Sequence, residues 1–151
     1  MKNIIAFISF SFILFSANSQ SIKSNKPYQL ITLDPGHFHA ALVQKTMYSN
    51  IDSVVYVYAK QSADLDLHLK RISDYNNRKE NPTQWKEDVY TGNDFFEKMI
   101  QQKKGNIVVL SGNNEKKSDY IFQSLQNGLH VLADKPMAIN LSLIHISEPT
   151  R

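Results

Sequence analysis

Compact apolar runs alternate along this chain with longer segments whose apolar residues recur every three or four positions, and that alternation predicts the fold. Tyr28–Leu33 is such a run, closed by Asp34 and Pro35; proline cannot continue a ladder and Gly36 permits a turn, so a first strand ends there. Phe38, Ala41, Leu42 and Lys45 follow at helical spacing. Ile51–Ala59, rich in valine and tyrosine, reads as a second strand. Leu65, Leu69 and Ile72 mark one face of a crossover helix, and the polar stretch Tyr75–Glu87, with Pro82, reads as a loop. Asp88–Tyr90 is a short third strand, Asn93 an N-cap, and Phe95, Phe96, Met99 and Ile100 the stripe of the next helix. Ile107–Leu110 and His130–Ala133 are the last strands, flanking a helix that turns Tyr120, Ile121 and Leu125 inward. Strands separated by helices predict an α/β fold with a right-handed, doubly wound parallel sheet.

The two ends do not fit this pattern. Lys2, an apolar run from Ile4 to Phe15, and then Ala17, Asn18 and Ser19 form a signal peptide over 1–19, too short to span a membrane and ending in a small-x-small cleavage site. Residues 20–27 are a polar linker. With no cysteine there is neither a lipid attachment site nor a disulfide framework, which suits a periplasmic or secreted protein with no membrane contact after cleavage. LSLIHISEPTR, Leu141 to Arg151, is what a transposase-type sequencing adapter encodes, so 141–151 is read as an artefact, with the natural chain interrupted near Asn140.

Setting both ends aside lowers lysine plus arginine from 17 to 15 and aspartate plus glutamate from 14 to 13, leaving a net charge of +2. That balance predicts no nucleic-acid partner. The remaining ~120 residues suffice for one domain with a workable core.

The chemistry concentrates in GLHVLADKPMAI, Gly128 to Ile139. Asn127 and Gly128 close the preceding helix as a left-handed C-cap would. The apolar run His130–Ala133 suits a strand covered on both faces, so Lys135 emerges at the carboxyl edge of the sheet, where α/β proteins place their sites. Together with NIVVLSGNN (Asn106 to Asn114) and LITLDPGHFHAALVQK (Leu30 to Lys45), this stretch resembles the glucose-fructose oxidoreductase/inositol dehydrogenase (Gfo/Idh/MocA) family, whose nucleotide-binding domain ends in a Glu-Lys-Pro signature. Here the signature is Asp134, Lys135, Pro136, and GHFHA stands at the glycine-rich turn, as in the branch common in Bacteroidetes-type bacteria.

The resemblance implies a Rossmann-like nucleotide-binding domain over 28–140, NAD or NADP as cofactor, and a small carbohydrate-like substrate. A second, mostly antiparallel domain would follow the signature lysine, build the substrate pocket and join subunits into a homo-oligomer; it is missing from this chain. The resemblance makes Lys135 catalytic, orienting the substrate hydroxyl and sharing its proton. Cofactor contacts fall to Gly36, His37, Phe38, His39, Lys60, Ser111, Gly112, Asn113, Asp134 and Pro136, with Asp134 positioning Lys135 and no metal in the site.

Several residues depart from the family pattern. In a G-x-G-x-x-G turn the glycines let the backbone approach a diphosphate at a helix start. Only the central one, Gly36, is present; Asp34 replaces the first and repels a diphosphate unless it is turned away, and His39 stands at the third. The second strand ends in Tyr58, Ala59 and Lys60 instead of an acid. Lys60 suits either a 2′-phosphate, favouring NADP, or plain solvation. Lys116 stands where relatives often carry histidine. These departures leave open a non-catalytic nucleotide- or sugar-binding module. His37 and His39 after an aspartate-tipped strand also resemble the first metal strand of amidohydrolase barrels, a hydrolase reading that lacks further clustered ligands, since His68 and Asp66 lie on an amphipathic helix.

Export is expected to cleave the chain between Ser19 and Gln20. Mass spectrometry of the exported protein should find Gln20 at the amino terminus, and an intact Met1 on that form would refute the signal peptide.

Overall fold

The computed structural model describes residues 26–137; the expected signal peptide, most of the expected linker and the adapter-like tail lie outside them. The elements run β1 (Leu30–Leu33), α1 (His39–Leu42), β2 (Val54–Ala59), α2 (Ala63–Asn77), β3 (Lys86–Thr91), α3 (Phe95–Gln102), β4 (Ile107–Leu110), α4 (Asn114–Gln126) and β5 (His130–Ala133). All strand pairs are parallel, in the order β3-β2-β1-β4-β5. This is the Rossmann-like, doubly wound sheet expected from the alternation of patterns.

Alternation along each strand sends neighbouring side chains to opposite faces. Ile31, Leu33, Tyr58, Val108 and Leu110 meet Phe95, Phe96 and Met99 of α3 and Tyr120 and Ile121 of α4. On the other face Leu30, Val55 and Val109 meet Ala41, Ile72 and Trp85. Both faces of the central strands are therefore covered, which is why β1, β2 and β4 read as continuous apolar runs.

The edges behave differently. β5 packs Val131 and Ala133 on the core but leaves Leu132 51% exposed, so it is covered on one face, not two. β3 pairs along its whole length with β2, from Val54↔Lys86 to Ala59↔Thr91, and includes Lys86 and Glu87, which the polar pattern had assigned to a loop. A polar edge strand has no apolar run to betray it.

Other boundaries shift for local reasons. Asp52 Oδ1 accepts from the Val54 amide, and this turn delays β2 beyond Ile51, which keeps only an isolated bridge to Tyr28. α1 stops at Leu42 because Gln44 is buried and pinned, its carbonyl accepting from Trp85 Nε1 at 2.7 Å and its amide donating to Glu87 Oε1 at 2.6 Å. α2 absorbs Tyr75–Asn77 from the expected loop, capped by Ser62 Oγ, which accepts from the Leu65 amide. The N-cap of α3 is Asp94, not Asn93; its carboxylate accepts from Tyr90 Oη instead of capping the helix. On α4 Leu125 is 51% exposed, and the inward positions are Lys117, Tyr120, Ile121 and Ser124. α4 ends in a Schellman motif: Leu129 N donates to Ser124 O, Gly128 N to Leu125 O, and Gly128 adopts φ +77°.

Burial pushes the Glu87 carboxyl up from 4.5 to about 7, against a weaker downward pull from its Gln44 hydrogen bond. The folded value exceeds the unfolded one, so this stabilisation is complete below pH 4.5 and lost as pH rises through 7. Glu87→Gln should flatten the stability profile across that window by up to ~3.5 kcal/mol, at ~1.4 kcal/mol per pKa unit. Urea titrations at several pH values check this; parallel profiles for the variant and the unsubstituted chain would count against it.

Candidate functional site

Register sets the site. Leu33 pairs with Leu110 and Leu110 with Ala133, so the residues that follow, Asp34, Ser111 and Asp134, leave the sheet level with one another. The chain winds outward in opposite directions from β1 and β4, which makes the gap between them the topological switch point where open α/β sheets take ligands.

Two glycines close that gap. The amides of Gly36 and His37 both donate to Ser111 O, at 2.9 and 3.2 Å. Gly112, at φ +108°, lies against Gly36 so closely that a Cβ on it would sit 2.5 Å from Gly36 Cα. The Gly112 position therefore tolerates no side chain, and the contact brings the β1 and β4 loops together as one floor.

Asp134 is the hub of the site. Its Oδ1 accepts from Lys117 Nζ at 2.6 Å, its Oδ2 accepts from Ser111 Oγ at 2.8 Å, and His39 Nδ1 lies 3.2 Å from the same oxygen. Lys117 is 1% exposed, so the charge it carries depends on this partner. Burial pushes the Asp134 carboxyl up, but hydrogen bonds from Lys117, Ser111 and His39 outweigh it and hold the group below the ordinary carboxylate value. No hydrogen bond among the described residues joins Asp134 to Lys135. The expectation that Asp134 positions Lys135 gives way to its bond with Lys117.

Above the floor runs a crevice in two chambers that share Gly36 and Asn113. One, of about 410 Å³, is lined by Gly36, His37, His39, Gly112, Asn113, Asn114, Asp134 and Lys135. The other, of about 390 Å³, is lined by Asp34, Pro35, Gly36, Lys60, Ser62, Asp64 and Asn113. The crevice thus gathers Gly36, His37, His39, Lys60, Gly112, Asn113, Asp134 and Lys135 from the residues expected in the site. Phe38 stands outside, 44% exposed and in ring contact with His37 and His39. Ser111 is buried behind the glycines, holding the turn and Asp134 from below. Pro136 is exposed and follows Lys135 through a cis peptide.

The altered phosphate turn is accounted for side chain by side chain. Asp34, at φ +46°, turns its carboxylate to Asn113 Nδ2, so it is tied to the N-cap of α4. Because α1 is only one turn long and two turn amides go to Ser111, the expected helix-start attraction for a diphosphate is small here. Lys117 was the functional residue that sequence reasoning missed. Its signal was a lysine at the inward spacing of Tyr120, Ile121 and Ser124, which requires a buried acid nearby.

The Gfo/Idh/MocA model, described as an oxidoreductase family with an NAD-binding Rossmann fold, matches residues 36–145. A crystal structure described as an oxidoreductase from Parabacteroides merdae is 56% identical, with a TM-score of 0.77 over 79% of this chain and 27% of that one. Scyllo-inositol dehydrogenase from Lactobacillus casei, with bound NAD(H) and scyllo-inositol, is 19% identical with a TM-score of 0.53, covering 80% of this chain and 31% of that one. Myo-inositol 2-dehydrogenase from Lactobacillus plantarum is 15% identical with a TM-score of 0.53, covering 80% and 32%. The last two similarities show the fold alone, and the chain spans less than a third of the length of each of these proteins. A comparison with curated proteins gives no match.

Replacing Asp134 by alanine strands a buried ammonium and should cost ~3–5 kcal/mol, while Lys117→Met should cost less because Asp134 keeps Ser111 and His39. The double variant should recover part of the single Asp134→Ala loss. Denaturant midpoints of the three variants measure the cycle, and strict additivity would exclude the coupling.

Proposed function

The chain belongs to the Gfo/Idh/MocA oxidoreductase family and carries its NAD-binding Rossmann domain, and from that premise we propose that it is the nucleotide-binding half of an enzyme moving hydride between NAD(P) and a carbohydrate-like alcohol or its ketone. The observation that carries this reading is the two-chambered crevice at the switch point, with Lys60 in one chamber and Lys135 in the other. Two chambers suit the two halves of a dinucleotide, and Gly36 and Asn113 line both.

In this reading Lys60 and Ser62 meet the adenosine half, and Gly112, Asn113 and Asn114 the nicotinamide half, supported by their positions along the two chambers. The bound cofactor would accept or donate the hydride. Lys135, exposed at the rim, is free to reach the oxygen of a substrate held from above. An alcohol releases hydride readily only as its proton leaves, and a positioned lysine amine takes or returns that proton. The substrate pocket, the homo-oligomer and export to the periplasm belong to this proposal, supported by family membership and by the amino-terminal pattern.

One observation favours a second reading, a binding module that has given up catalysis. The Gly36 and His37 amides, which a diphosphate would otherwise attract, are already committed to Ser111. Titrating NAD and NADP into the longer protein, followed by calorimetry, separates the two readings: no saturable binding supports the module.

In that longer protein Lys135→Ala should lower kcat by ~10² to 10⁴ and leave cofactor affinity nearly unchanged. The 151-residue chain itself should bind dinucleotide without turnover. Unchanged kcat in the variant, or dehydrogenase activity from this chain alone, would remove Lys135 or the missing half from the mechanism.

A further inference from the structure

We propose that His37, His39 and Asp134 form a binding site for a divalent transition ion of the zinc type, between the β1 turn and the end of β5. The site stands on its own donors and does not depend on the dinucleotide reading. One donor atom from each residue lies within 4.8 Å of the others. Asp134 Oδ2 is 3.2 Å from His39 Nδ1 and 3.8 Å from His37 Nδ1. An ion bound tetrahedrally at ~2.0–2.1 Å from each donor sets those donors ~3.3–3.4 Å apart. Both histidine side chains are more than a third exposed, at 47% and 37%, so their rings have room to turn and close the set around an ion.

The carboxylate is prepared for this role. Lys117 occupies Oδ1 and Ser111 Oγ donates to Oδ2, so Asp134 keeps its orientation with one lone pair of Oδ2 left toward the histidines. Anchoring of a ligating carboxylate by such outer bonds is typical of built metal sites. All three donors line the chamber that also holds Lys135, which leaves a fourth position for water on the crevice side. Three protein donors with one open position match zinc sites that keep water.

Charge decides which ion fits. The Lys117 ammonium offsets the Asp134 carboxylate, so the pocket offers two imidazoles and little net charge. Mg²⁺ and Ca²⁺ rely on several oxygen donors and on negative charge, whereas imidazole favours Zn²⁺, Co²⁺ and Ni²⁺. An ion held here would link the turn after the first strand to the turn after the last described one, and it would raise the melting temperature by binding only the folded chain.

Titration of the tag-free chain with Zn²⁺ alone, by calorimetry and against a chromophoric chelator, tests the site, with Co²⁺ as a coloured probe. One Zn²⁺ per chain, tetrahedral Co²⁺ absorption, a higher melting temperature with Zn²⁺ and no saturable Mg²⁺ binding are expected. His37→Ala removes a half-exposed ring with no hydrogen bond as close as that of His39, so the fold should survive; circular dichroism checks this. It should weaken Zn²⁺ binding at least as much as the ~10–100-fold typical of losing an outer partner, and His39→Gln should do likewise. His130→Ala and His145→Ala should leave binding unchanged. Absence of saturable Zn²⁺ binding, unchanged affinity in folded His37→Ala, or equal loss in the control variants would overturn the proposal. A separate NAD titration of the same samples reports on the dinucleotide reading independently.

Discussion

An ammonium group shut away from water must be matched by an anion, and Lys117, 1% exposed in the first turn of α4, has only Asp134 within salt-bridge reach among the described residues. Such a pair adds little net stability over an apolar substitute of similar size, but breaking it is expensive. Its effect is therefore on geometry. Asp134 follows β5 directly, so the ion pair fixes how the last described strand ends and which way its carboxylate faces. Oδ2 then becomes available to Ser111 after β4 and to His39 at the start of α1. Segments nearly a hundred residues apart in sequence are gathered on one carboxylate.

The glycine pair does for the backbone what Asp134 does for the side chains. Ser111 O takes two amides from the β1 turn, and Gly112 lies against Gly36 with no room for a Cβ. Ser111 serves both systems, its carbonyl holding the turn and its hydroxyl holding Asp134. The floor of the crevice is consequently rigid across three strand ends, while Lys60, His37 and Lys135 stand exposed around it.

How much of this was legible in the sequence follows from burial. Strands covered on both faces announce themselves as apolar runs, so β1, β2 and β4 were found, with losses of a few residues where Asp52 or an isolated bridge interrupts the ladder. β3 is polar because it lies at an edge, and its outer residues were taken for loop. The apolar run before Lys135 and the proline before Gly36 put both residues at strand ends, and the structure sets both on the crevice, whereas the catalytic role of Lys135 rests on the resemblance. Lys117 was not, because pairing a buried lysine with an acid beyond the next strand is a tertiary fact that periodicity can suggest but not complete. The same holds for Asp134 joining His37 and His39: spacing shows a His-x-His pair, and only strand register supplies the third group.

The departures from the glycine-rich pattern then form one compensated set. A first glycine exchanged for aspartate leaves a charge in the turn, and Asn113 takes it up from the N-cap of α4. A third glycine exchanged for histidine forfeits close packing of a long helix against the strand, and here that helix is one turn long, with the imidazole against Asp134. What is lost is the dipole of a long α1 and two amides that would have faced an anion. What remains in the two chambers is nearly balanced charge, with Asp34, Asp64 and Asp134 against Lys60 and Lys135. Attraction of a diphosphate by the field of this site is therefore weak.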